Sequence, residues 1–94
     1  MWARVTTTHG DPSTRDRAIA LINEQVIPAV SQFPGFKGGY WLADETGRGI
    51  AVILFESREA LQATDTAAEA VRDQVKQLGL AIDSVETFEV IAQG

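Results

Sequence analysis

Residues 34–42 read Pro34-Gly35-Phe36-Lys37-Gly38-Gly39-Tyr40-Trp41-Leu42. After a short polar link the chain continues Gly49-Ile50-Ala51-Val52-Ile53-Leu54-Phe55 and then Glu56-Ser57-Arg58-Glu59-Ala60-Leu61. A Pro-Gly pair turns the chain into a strand rich in aromatic residues, which suit a pleated, half-buried surface. Glycines at 38 and 39 weaken that strand and mark a bulge or a close approach by backbone or ligand. Asp44-Glu45-Thr46-Gly47 supplies the hairpin connection. The returning strand, Gly49 to Glu56, has no polar position between Ile50 and Phe55. A strand with one face in water would alternate, so this one is expected to be covered on both faces. Ser57 then caps a helix, with Glu59 in its first turn.

Upstream, Trp2 to Thr8 is rich in Trp, Val and Thr and reads as a strand. Gly10, Asp11 and Pro12 end it, with Asp11 as N-cap and Pro12 at the first helical position. Ser13, three residues before Asp16, is a competing cap. The first helix is expected from about Ser13 to Gln32. Its apolar stripe is Ile19, Ile22, Val26, Val30 and Phe33, spaced by threes and fours. Pro28 lacks a backbone donor and crowds the preceding turn, which predicts a kink or break near Gln25 to Ile27. In the helix opened by Ser57, the buried face is Leu61, Ala68, Val71, Val75 and Leu78. Thr64-Asp65-Thr66 offers a division, with Thr66 as a second cap, and Gly79 is the stop. Ala81 to Ala92 is the last strand.

The order is β-α-β-β-α-β in a single domain over residues 1–94. It predicts an α+β, ferredoxin-like fold: a four-stranded antiparallel sheet with both helices on one face. In that topology the third strand is central. Ile50, Val52 and Leu54 point one way, and Ala51, Ile53 and Phe55 the other; Trp2 and Val5 likewise lie on opposite faces. Two helices cover only one face. The other is expected to meet a second copy of the chain, giving a homodimer built as a dimeric α+β barrel. The alternative is a monomer with an exposed apolar sheet.

Composition narrows the function classes. The net charge is −5 and the eight Lys and Arg are scattered, which excludes a basic stripe for nucleic acid. An acidic surface disfavours anionic membranes, and no apolar run approaches the length of a spanning helix. Met1-Trp2-Ala3-Arg4-Val5 lacks the pattern of a signal peptide, so a soluble, cytoplasmic domain is expected. There is no cysteine and one histidine, so no disulfide, thiolate site or metal-ligand cluster is expected.

His9 is the side chain that titrates near neutrality unaided, and it is the candidate catalytic base; the plainer reading is an exposed histidine at a strand end. Phe33, Tyr40 and Trp41 are candidate substrate-binding residues, alongside Phe36 and Trp2, with ordinary packing as the alternative. Tyr40 and Trp41 are adjacent in a strand and point to opposite faces, so at most one of them lies in a helix-side pocket. Arg4 is a candidate for an anionic group of the substrate; its alternative is an ion pair across the dimer with Glu86 or Glu89. Gly47-Arg48-Gly49 lacks the following helix that a phosphate cradle needs. Ser13, Ser57 and Ser84 have no histidine partner in a recognisable motif.

Three segments carry a resemblance over Trp2 to Val90: Val26-Ile27-Pro28 leading to Phe33-Pro34-Gly35-Phe36, the Tyr40-Trp41 strand, and the strand Val52 to Phe55 running into Glu56-Ser57-Arg58-Glu59-Ala60-Leu61. In these the chain resembles the dimeric α/β-barrel superfamily, specifically its antibiotic-biosynthesis-monooxygenase-like group. The resemblance implies a dimer with a pocket between sheet and helices, and a cofactor-independent monooxygenase acting on a small aromatic or quinol-like compound. It implies no cofactor. The alternative is a non-catalytic small-ligand-binding or stress-associated dimer. Haem-degrading members use an Asn near the first strand, a Trp after the third strand and a His on the following helix. Here the histidine is His9, Asn23 is on the first helix, and neither Trp2 nor Trp41 follows the third strand, so the resemblance points away from haem degradation.

Overall fold

The structure, a computed structural model, describes residues 1–77 and 79–94. Leu78, assigned above to a buried helix face, lies outside the described residues. Four strands, β1 (Trp2–His9), β2 (Phe36–Ala43), β3 (Arg48–Phe55) and β4 (Ala81–Glu89), form one antiparallel sheet in the order β2-β3-β1-β4. The expected ferredoxin-like topology is therefore present, with β1 and β3 central. The last strand is shorter than Ala81 to Ala92. Its ladder runs out at Trp2↔Glu89, and a final bond from Val90 N to Met1 O at 2.9 Å closes it, because β1 offers no partner beyond.

Asp11 caps the first helical stretch as expected: its carboxylate accepts from Ser13 N at 2.8 Å, and Pro12 opens a 3₁₀ turn, Pro12–Thr14. Helix α1 (Arg15–Leu21) follows, then a π-helical stretch, Ile22–Val26, and helix α2 (Ile27–Val30). The break anticipated from Pro28 takes this form. Pro28 donates no hydrogen bond, and the ladder widens just upstream, with Ile27 N bonding Ile22 O.

Ser57 caps helix α3 (Arg58–Ala63), its hydroxyl accepting from Ala60 N at 3.1 Å. The division falls at Thr64 rather than Thr66, and helix α4 (Asp65–Lys76) begins there. The Thr64 hydroxyl caps no helix: it donates to Leu61 O at 2.7 Å and accepts from Arg4. The β2–β3 turn is pinned by Asp44, whose Oδ1 accepts from Thr46 N, Thr46 Oγ1 and Arg48 N. Gly47 is obligatory in it. Its φ is +96°, and a Cβ there would fall 2.0 Å from Gly10 O.

The register assigns the faces. Trp2, Arg4, Thr6 and Thr8 of β1 share the helix side with Ala51, Ile53 and Phe55 of β3 and Trp41 of β2. Val5, Ile50, Val52, Leu54, Tyr40, Leu42 and Phe88 share the opposite side, which no element among the described residues covers. There Tyr40 is 63% exposed, Leu42 53% and Phe88 49%. The packed core is small: Val26, Val30, Phe55, Leu61 and Ala68 gather at one end of the sheet, between it and the helices.

Candidate functional site

Beyond that core the space between sheet and helices is open, a cavity of about 430 Å³. Its floor is Arg4, Thr6 and Thr8 of β1 with Gly49, Ala51 and Ile53 of β3 and Trp41 of β2. The walls are largely aliphatic: Ile19, Ile22 and Val26 on one side, and Val71, Val75, Leu80 and Ile82 on the other. The size and apolar lining suit a small organic ligand. Ile19, first of the sequence's helical stripe, is 44% exposed because it borders this space rather than packed side chains.

Gly39 keeps the floor low. It follows a β-bulge, a register shift between Phe36 and Gly38, so the glycine pair is associated with a bulge and also with a close approach. The approach is internal: a Cβ at 39 would lie 3.0 Å from Cη2 and Cζ3 of the Trp41 indole. The ring leans along the strand over the bare backbone, and the volume above it stays free.

Arg4 is only 5% exposed and stands at the packed end of the cavity. Its guanidinium donates to Thr64 Oγ1 at 3.0 Å, to Leu61 O at 3.3 Å and to the Asp65 carboxylate. Loss of hydration pulls its pKa below the ordinary value; Asp65 opposes this, and the charge of Arg72 adds to it. The alternative reading, an ion pair, holds in kind but not in partner: the acid is Asp65 rather than Glu86 or Glu89. Arg4 points to the helices, and its partners are Thr64 and Asp65 at the junction of α3 and α4.

Of the other sequence candidates, Phe33 and Trp41 line the cavity. Tyr40 borders it from the strand, but its pairing with Val52 sets its side chain on the open face, as the alternation of β2 required. His9 is not among the lining residues. Its side chain is 59% exposed, and Nδ1 lies 2.6 Å from Asp83 Oδ1. The structure thus brings Arg4, Phe33 and Trp41 together and leaves His9 apart.

Sequence reasoning passed over Thr6, Thr8, Asn23 and Arg72, all of which line the cavity. The signal was present for three of them. Arg4-x-Thr6-x-Thr8 is an all-polar parity on a central strand, and Arg72 sits among Ala68, Val71 and Val75 on the inward face of α4. Asn23 gave none; its amide donates back to Ile19 O at 2.9 Å. Among the described residues no cluster of three metal-ligating side chains occurs, and no helix is long and apolar enough to cross a membrane.

No protein-family profile matches the chain. Two uncharacterised proteins of Mycobacterium tuberculosis are each 30% identical to it, over 93 and 91 residues; the alignments take in 98% and 96% of this chain but 42% and 39% of the relatives. The chain therefore spans less than half the length of these curated relatives. Several solved structures superpose over nearly all of it. A candidate antibiotic biosynthesis monooxygenase from Deinococcus radiodurans gives a TM-score of 0.75 at 14% identity, covering 99% of this chain and 95% of that one. The monooxygenase from the ActVA-Orf6 gene of Streptomyces coelicolor, in complex with nanaomycin D, gives 0.73 at 19%, covering 99% and 88%. The haem degrader MhuD of M. tuberculosis, with two haems bound, gives 0.71 at 20%, covering 100% and 99%. With its strand order, one-sided helices and inner cavity, the chain has the ferredoxin-like fold of the antibiotic-biosynthesis-monooxygenase-type proteins.

Proposed function

We propose that this domain acts as a homodimer in which each subunit's cavity takes a small aromatic or quinol-like compound, and that it is a cofactor-independent monooxygenase of that compound. The observation that carries the reading is the cavity of about 430 Å³ between sheet and helices, floored by Trp41 and walled by aliphatic side chains and Phe33. The ActVA-Orf6 monooxygenase, of the same fold, holds an organic ligand. The dimer is supported by the uncovered face: Val5, Ile50, Val52, Leu54 and Leu42 form an apolar surface that water does not favour. In the reaction the substrate loses two hydrogens and gains one oxygen atom from O₂; the other oxygen atom leaves as water with those hydrogens, and the substrate supplies the electrons. Phe33 and Trp41 grip the ring, Arg4 and the threonines of β1 meet its oxygens, and the cavity excludes water.

One observation favours a second reading, a non-catalytic ligand-binding dimer. His9 stands outside the cavity beside Asp83, and the chain has no other histidine. An oxygenase built on this cavity therefore depends on a substrate that ionises readily by itself. The test has two arms. Binding of the neutral fluorophore N-phenyl-1-naphthylamine is titrated against the wild type and Ala51→Phe, which fills the floor; the cavity reading requires the variant to bind several-fold more weakly. Oxygen consumption is then followed with a panel of quinols and anthrones. Turnover supports the oxygenase, with His9→Ala unchanged for a self-ionising substrate. Binding without turnover supports the second reading.

A further inference from the structure

The helix-covered side of a central strand is normally the driest part of such a fold. Here its successive inward positions are Arg4, Thr6 and Thr8, and all three line the cavity. Among the described residues, neither Thr6 nor Thr8 makes a side-chain hydrogen bond. The guanidinium of Arg4 spends three donor contacts on Thr64, Leu61 and Asp65. Its five N–H groups exceed that number, so donors remain. Arg72 faces the same space from α4, two turns beyond Asp65, and among the described residues it forms no ion pair. It is close enough for its charge to act on Arg4. Two guanidinium groups thus meet at the packed end, and one carboxylate, Asp65, largely in water, offsets them. Asp65 itself is not a lining residue; the acidic residues that line the cavity, Asp11, Asp44 and Glu45, lie at the other end with Arg15 and Arg48, around the turns that form the mouth.

We propose that the ligand of this cavity is an acid: an apolar ring or chain bearing a carboxylate or similarly compact oxyanion, which sits between Arg4 and Arg72 with the Thr6 hydroxyl as a further donor. The proposal rests on the reading that the cavity is a ligand site and names the class of compound it takes. Arg4 is held rigid by Thr64 and Leu61 O, so the fork is set before the ligand arrives. Arg72 supplies the unmatched charge. The site is set against the protein's net charge of −5, which repels anions in general, so a preference for an anion here is a local property.

The test compares two fluorescent probes of one skeleton, neutral N-phenyl-1-naphthylamine and its sulfonate, 8-anilinonaphthalene-1-sulfonate, on the wild type, Arg72→Gln and Arg72→Lys. The expected result is that the sulfonate binds the wild type about tenfold more tightly than the neutral probe, as a charge-assisted contact provides. Arg72→Gln is expected to remove most of that preference while the neutral probe changes less than twofold, and Arg72→Lys to restore much of it. 1-Naphthoate should displace the sulfonate at about a tenth of the concentration that naphthalene requires. Equal binding of the two probes to the wild type, or a preference that survives Arg72→Gln, overturns the proposal while the cavity reading stands. Failure of both probes to bind, or indifference of both to Ala51→Phe, overturns the cavity reading and the proposal together.

Discussion

On the helix-covered side of the sheet, the central strand β1 presents Arg4, Thr6 and Thr8; on the uncovered side, β3 presents Ile50, Val52 and Leu54 beside Val5 of β1. The polar row lies under the protein's own helices, and the apolar row faces outward. In a monomer with a solid core this would be inverted. The difference teaches that cover by the chain's own helices is not the same as close packing. The covered side is hollow past Phe55 and Val30, so its polar groups face a space rather than hydrocarbon. The open side has the composition of an interface.

The largest effect is expected at the open face. Val52→Asp places a charge in its middle, on a strand hydrogen-bonded on both sides. Size-exclusion chromatography should show the dimer converted to monomer, with circular dichroism still reporting a folded sheet. Next is Arg4→Ala on the covered side. It strands the Thr64 junction and removes three contacts of a buried guanidinium, with an expected loss of about 2 kcal/mol. In a chain of this size that amounts to roughly a 10 °C fall in Tm by thermal melting. A loss this large on the polar row would show that it is built in, rather than tolerated.

Gly39→Ala sharpens the comparison from within the cavity. The new methyl must displace the Trp41 ring, 3.0 Å away, into the free volume. The expected cost is about 1 kcal/mol in denaturant unfolding, with weaker binding of N-phenyl-1-naphthylamine. The smallest effect concerns the mouth. Hydrogen bonds from Thr46 and Arg48 hold the Asp44 carboxyl below its ordinary value. A carboxylate with a depressed folded pKa adds stability that is complete above the unfolded value, near 3.8, and is lost as pH falls through the folded one. Asp44→Asn should therefore lower Tm slightly at pH 7 and flatten its pH dependence below about pH 4, so that the two proteins converge in acid.

Much of this architecture could be read from particular residues. The unbroken run Ile50 to Phe55 identified a central strand, and Asp11-Pro12, Ser57 and Gly47 marked caps and a turn through local backbone chemistry. Pro28 announced the irregularity that became the π-helical stretch. What local pattern did not reveal depended on distant partners. The division of the last helix fell at Thr64 because Arg4, sixty positions away in sequence, takes its hydroxyl. The end of β4 was set by where β1 begins. In the site, Phe33 was legible as an aromatic residue before Pro34-Gly35 and Trp41 as one just after a glycine pair. His9 drew attention by its titration range alone, which says nothing of where a strand end points. Arg72 was hidden in an ordinary amphipathic helix. Its place on the cavity lining emerges only from the tertiary arrangement.

The measurement that bears most directly on the contrast between the two faces is sedimentation equilibrium of the wild-type chain at low micromolar concentration. The account predicts a species of twice the 10.2 kDa chain mass, the open face being closed by a second copy. A single species of 10.2 kDa would contradict it, because the apolar row of β3 would then stand in water and the division of labour between the two faces would have no physical basis.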